Sequence, residues 1–174
     1  MTDERGPASP GARVVVMGVS ASGKTSVAMR LASLTGARFI DADALHPASN
    51  VAKMAAGTPL DDGDRWPWLD AVAATLDAAD ASVIACSALK RSYRDRLRAS
   101  APGVVFVHLT GPAELLAARA DGRDGHFMPP ALLRSQLDTL EPLEADEAGI
   151  EILIDAPVAE IAQTALEWVN ARAR

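Results

Sequence analysis

Five short runs of the chain are apolar without alternation: residues 13–17 (RVVVM), 38–43 (RFIDAD), 82–86 (SVIAC), 104–109 (VVFVHL) and 150–155 (IEILID). Unbroken apolar runs of this length are typical of strands covered on both faces, as in a parallel sheet. Between them the apolar positions switch to helical spacing. Val27, Leu31 and Leu34 share one helical face, and Gly36 follows as a stop signal. Leu69, Val72, Ala73 and Leu76 share a second face, and Val158, Ile161, Ala165 and Val169 a third. Pro112 and Pro157 stand where a first helical turn accepts proline. Strands alternating with helices predict an α/β fold: a five-stranded parallel sheet sandwiched by helices, forming one domain over residues 13–174. Residues 45–67 and 119–144 are richer in polar and turn-forming residues than this fold requires. In open parallel sheets such excursions after strand ends are where ligands bind.

Composition narrows the classes of function. The 174 residues, 49% hydrophobic and 23% charged, suit one globular domain. A net charge of -6 argues against broad nucleic-acid binding but allows a small anion in a locally basic pocket. The single cysteine, Cys86, excludes an intramolecular disulfide and a multi-cysteine zinc site, and fits a reducing compartment. It reads as a small apolar packing residue at a strand end. Residues 1–12 are polar, are broken by Pro7 and Pro10, and lack the apolar core of a signal peptide. No run is long enough to cross a membrane. The expectation is a short disordered tail on a cytoplasmic protein.

The stretch GVSASGKTS, Gly18 to Ser26, matches the phosphate-binding pattern G-x-x-x-x-G-K-[ST] in its required context, after an apolar strand and before an amphipathic helix. Glycine lets the backbone of Gly18, Ser20, Ala21, Ser22 and Gly23 curl so that its amides face phosphate oxygens, and the helix N-terminus adds positive charge. Lys24 reaches the terminal phosphates, and the Thr25 hydroxyl, beside Ser26, can ligate magnesium. The motif predicts a P-loop NTPase fold that binds a nucleoside triphosphate. Ala21 replaces a possible inner glycine, which is tolerable if its φ is negative.

The acceptor side begins with Asp41 and Asp43. In an extended stretch their side chains project to one side, so one could hold the magnesium water shell and the other orient an attacking hydroxyl. Either could instead be a solvated strand end or a helix cap. The GTPase pattern N-K-x-D is absent, and SVIAC runs into Ser87 with no Walker B aspartate.

Three further segments complete a pattern: FIDADALHPASNVAKMAAGTPLDDGDRWPWL (39–69), ACSALKRSYRDRLR (85–98) and GHFMPPALLRSQLDTLEPLE (125–144). In this order after the phosphate loop, they resemble the gluconokinases, a family of shikimate-kinase-like P-loop kinases. The resemblance covers residues 14–147. It departs from the family at Ala21 and at Thr25, where serine is commoner. It implies ATP- and Mg2+-dependent phosphorylation of D-gluconate at its 6-hydroxyl, and a homodimer. A polyhydroxylated anion needs cations for its carboxylate and polar groups for its hydroxyls. The candidates are Asp43, His46, Asn50, Lys53, Asp64 and Arg65, then Lys90, Arg91, Tyr93 and Arg94. His46 before Pro47 could equally cap a turn, and Lys53, Arg91 and Arg94 could form a solvated helix face. Trp66 and Trp68 have helical packing spacing, though one could wall the sugar acid.

In related P-loop kinases, residues corresponding to 119–144 form a mobile helical lid. Arg119 and Arg123 are the expected lid contacts to phosphate, with His126 beside them and Gly122 and Gly125 as hinges. The loop near Ala156 and Pro157 is the expected adenine contact. The catalytic set under this reading is Lys24, Asp43 and Arg123. A kinase of another small polyol acid such as shikimate, a nucleoside monophosphate kinase and a non-catalytic ATP-binding module remain open.

Overall fold

The computed structural model describes residues 11–122 and 130–173. Strands β1 (Arg13–Met17), β2 (Arg38–Asp41), β3 (Ser82–Ala85), β4 (Val105–Thr110) and β5 (Gly149–Leu153) form one parallel sheet in the order β2-β3-β1-β4-β5. Each lies within two residues of its expected ends. Every residue of β3 and Val14–Met17 of β1 are buried. Successive strand side chains point to opposite faces, so both faces are covered, which is why these runs do not alternate.

Helix α1 (Lys24–Thr35) packs beside α7 (Val158–Arg172), while α3 (Asp62–Asp77) packs beside α4 (Arg91–Ser100). Helix α1 ends at Gly36, whose φ of 70° closes the helix in the left-handed region that glycine adopts without strain. Helices α2 (Ala48–Ala55), α5 (Ala113–Asp121) and α6 (Pro130–Thr139) complete the set among the described residues. Pro112 and Pro157 are the N-cap residues of α5 and α7, one position before the expected first turn.

One strand ends differently from its reading. RFIDAD leaves the sheet after Asp41, and Ala42–Leu45 form a 3₁₀ turn. The Asp41 carboxylate accepts from the Asp43 amide at 3.0 Å and caps that turn. The extended alternation expected to put both aspartates on one side therefore does not apply, because a local carboxylate-to-amide bond competes with the strand.

With β1 between β3 and β4, the loops after β1, β2 and β3 emerge at one edge of the sheet. A buried ion pair fastens the loop after β3 to the chain that leads into β5. Arg94 of α4 has no exposed surface and meets Glu147 through Nε at 2.7 Å and Nη2 at 2.9 Å. It also donates to the carbonyls of Ala88, Leu89, Glu141 and Pro142. Burial alone would raise the Glu147 carboxyl, but Arg94 and the Glu144 amide outweigh it and hold it below its ordinary range. A carboxylate depressed in the folded state stabilises the fold above its unfolded pKa, and that stability is lost as pH falls through the folded value.

Glu147→Ala leaves a guanidinium buried and unpaired, which costs about 3–5 kcal/mol. Thermal denaturation at pH 7 should show a Tm lower by roughly 10 °C at this domain size. The difference from wild type should shrink as both are acidified.

Candidate active site

The loop from Gly18 to Gly23 is drawn tight against the sheet. A Cβ at Gly18 would lie 2.6 Å from the Leu109 carbonyl and 2.9 Å from Ser22 Oγ, so only glycine fits there. Gly23, the N-cap residue of α1, brings no side chain to the helix end and leaves its first amides facing outward. Ser22 Oγ is buried without a hydrogen-bond partner. An uncapped helix N-terminus beside an orphaned hydroxyl is a donor set suited to phosphate oxygens. Lys24 Nζ donates to the Val19 carbonyl at 2.9 Å, folding back over the loop. Thr25 and Ser26 are exposed on the first turn of α1. Ala21 is buried with a φ of 65°, so the negative φ that would make its methyl tolerable without strain is not what the loop adopts. The loop retains its left-handed residue and carries the strain of a methyl group there.

Facing the loop is a cleft of about 110 Å³ that brings Ser20 and Lys24 together with Asp43, His46, Arg65 and Trp68. Each acceptor-side residue is placed by an identifiable contact. Trp68, buried in α3, donates from Nε1 to the Ala42 carbonyl at 2.8 Å and so pins the turn that carries Asp43. The same indole stacks on His46 at 4.2 Å between ring centroids. It therefore both packs and walls the cleft. Asn50 Nδ2 donates to the Asp64 carbonyl at 2.9 Å and lies 3.2 Å from His46 Nδ1. An amide NH2 only donates, so Nδ1 accepts and the imidazole proton sits on Nε2, 4.0 Å from Asp43. Burial lowers the His46 pKa, ahead of Asp43, which raises it, and Arg65, which lowers it. The ring is neutral at pH 7.

The remaining candidates lie in a second layer or further away. Asn50 and the Lys53–Asp64 pair, 2.7 Å apart, brace His46 and the start of α3. Asp61 and Asp64 form a reciprocal capping box there. Arg65 donates to the Tyr93 hydroxyl at 2.9 Å, Tyr93 donates in turn to Asp62, and Lys90 pairs with Asp62 at 3.2 Å. The Tyr93 and Lys90 contacts lower the Asp62 pKa. Lys90 and Tyr93 thus reach the cleft through Arg65. Arg91 forms a bidentate pair with Asp146, at 2.8 and 2.9 Å, and also meets Asp95. Arg94 is the structural residue described above. Both arginines are thus engaged by carboxylates, Arg91 by Asp95 and Asp146 and Arg94 by Glu147, and neither lines the cleft.

Arg119 donates to the Ile154 carbonyl at 2.6 Å, joining α5 to the segment before Ala156 and Pro157. Arg123 and His126 lie outside the described residues. Cys86 is buried, and desolvation pushes its thiol up to about 12, leaving it an inert packing group. Sequence reasoning missed Ser87, Leu132, Ser135 and Gln136, which also line the cleft. The only signal for the last three was their place in the 125–144 motif.

The strained Ala21 gives a direct test of the loop's conformation. Ala21→Gly removes about 1–2 kcal/mol of left-handed strain, against about 0.5–1 kcal/mol of added backbone freedom in the unfolded chain. Denaturant unfolding should show a net gain of about 0.5–1 kcal/mol.

An AAA domain family model matches residues 14–143. The chain is 45% identical over 166 residues to the thermosensitive gluconokinase of Escherichia coli K12, spanning 92% of this chain and 89% of that one. It is 49% identical over 143 residues to the gluconokinase of Gluconobacter oxydans 621H, spanning 80% of each. The crystal structure of a gluconokinase from Sinorhizobium meliloti 1021 superposes with a TM-score of 0.88 at 48% identity, over 94% of both chains. With its phosphate loop opposed to a polar, cation-lined cleft on a five-stranded parallel sheet, the chain belongs to the gluconokinase family.

Proposed function

We propose that this chain transfers the γ-phosphoryl group of ATP to the 6-hydroxyl of D-gluconate, giving 6-phospho-D-gluconate and ADP. The observation that carries the reading is the single cleft in which Ser20 and Lys24 of the phosphate loop face Asp43, His46 and Arg65. Donor and acceptor groups there share one small volume, as in-line transfer requires.

In this reading Lys24 and the loop amides other than that of Ser20, which donates to Gln136 Oε1, hold the β- and γ-phosphates. Arg65, oriented by Tyr93, pairs with the gluconate carboxylate, and the His46 Nε2–H donates to a hydroxyl. Asp43 accepts the proton of the attacking 6-hydroxyl. The new bond from that oxygen to the γ-phosphorus forms as the bond from phosphorus to the bridging oxygen of ADP breaks. Arg119 lies beside the adenine segment through its bond to Ile154. Among the described residues no group of three or more acidic, histidine or cysteine side chains could hold a metal. A magnesium ion brought in with the nucleotide phosphates would be held on the protein side by Thr25 and Asp41. Such an ion supplies charge neutralisation on the phosphates. Among the described residues no helix is long and apolar enough to cross a membrane. Consumption of ATP and the lone thiol suit the cytoplasm, and the family resemblance favours a homodimer.

Lys24→Ala should nearly abolish turnover with little change in the KM for gluconate. Asp43→Asn should lower kcat by about 100-fold or more, the low end for a lost general base. ADP release measured with gluconate, shikimate, other sugar acids and nucleoside monophosphates should favour gluconate. A preference for another acceptor would reject the assignment, and normal turnover by Asp43→Asn would remove Asp43 from the proton-accepting role.

A further inference from the structure

Gln136 of α6 makes a contact that the scheme above leaves unexplained. Its Oε1 accepts from the Ser20 backbone N–H at 2.6 Å, across 116 residues of chain. Both residues line the cleft with Lys24 and Asp43. The orientation of the amide is settled by chemistry: a backbone N–H only donates, so the side-chain oxygen faces it. Nε2 is the other end of that planar group. It is held beside the part of the phosphate loop that shares the cleft with the acceptor carboxylate.

We infer that Gln136 is a further catalytic residue of the transfer, its carbonyl fixed by Ser20 and its Nε2–H2 donating to the oxygens of the transferring phosphoryl group. Charge spreads over those oxygens during transfer, so a preset donor beside them stabilises the transition state without having to reorganise. A glutamine carries no titrating proton and donates equally at every working pH. The arrangement also divides the labour: Lys24 approaches the phosphates from the loop side, and Gln136 from α6, from which no cation among the described residues lines the cleft. This inference rests on the kinase reading above.

Two substitutions separate donation from mere attachment of α6 to the loop. Gln136→Met fills similar space without a donor. It should lower kcat about 100-fold, the loss typical of one transition-state donor, with both KM values within about threefold and Tm little changed. Gln136→Glu keeps an acceptor for the Ser20 amide but presents a carboxylate to the phosphoryl group. Its kcat relative to wild type should be low at pH 8 and rise toward pH 5, as protonation restores an O–H donor. A tether alone would give the opposite pattern. Gln136→Glu would then track wild type at every pH, and Gln136→Met would lose Tm without losing kcat at temperatures where it stays folded. Either result overturns the inference. Wild-type turnover of gluconate in the same assays keeps this failure apart from failure of the proposed function. A wild-type chain inactive on gluconate overturns both.

Discussion

The Arg94–Glu147 pair joins three parts of the chain that have to agree before a cleft exists. Through the carbonyls of Ala88 and Leu89, Arg94 shapes the loop after β3, where Ala88 is held at a φ of 44°. Through Glu141, Pro142 and Glu147 it holds the chain that follows α6. The Glu141 amide adds a backbone bond to the Leu89 carbonyl at 2.8 Å. The loop after β3 in turn reaches the phosphate loop, where the Gly18 amide donates to the Ser87 carbonyl. One buried guanidinium therefore sets the frame between the donor loop, the floor of the cleft and the helix that carries Gln136. Two buried charges are costly to desolvate, and a pair in which every guanidinium nitrogen and both carboxylate oxygens are hydrogen-bonded offsets that cost.

Within that frame the cleft is built in two layers. Asp43, His46 and Arg65 face the space, and each is set by a neighbour: Trp68, itself a wall of the cleft, through Ala42, Asn50 through His46 Nδ1, and Tyr93 with Asp62 behind Arg65. Fixing the inner groups in advance lowers the ordering cost of binding a flexible, hydroxyl-rich acid. It also explains why so many polar residues cluster in two segments of a chain this acidic: most of them orient a few.

The fold was legible because its signals are local. Unbroken apolar runs marked the five strands, and the phosphate loop carries its chemistry within nine consecutive residues. Charge pairing was not legible. Arg91 and Arg94 looked like Lys90 and Arg65 in one dimension, yet Asp146 and Glu147 claim them from fifty residues away. The turn at Asp41 was hidden for a different reason, since a carboxylate capping its own backbone leaves the same sequence as a strand end. The sign of φ at Ala21 is a property of loop closure and not of the residue. Gln136 is neutral and unremarkable in a helix, and only its contact with Ser20 gives it meaning.

The central claim is that this cleft delivers a phosphoryl group to the primary hydroxyl of gluconate. Proton-coupled phosphorus NMR of the products from ATP, magnesium and gluconate tests it most directly. The account predicts ADP and a phosphomonoester resonance split into a triplet by the two protons of the C6 methylene. A doublet, from a secondary hydroxyl, or no new phosphomonoester while ATP is consumed would contradict it.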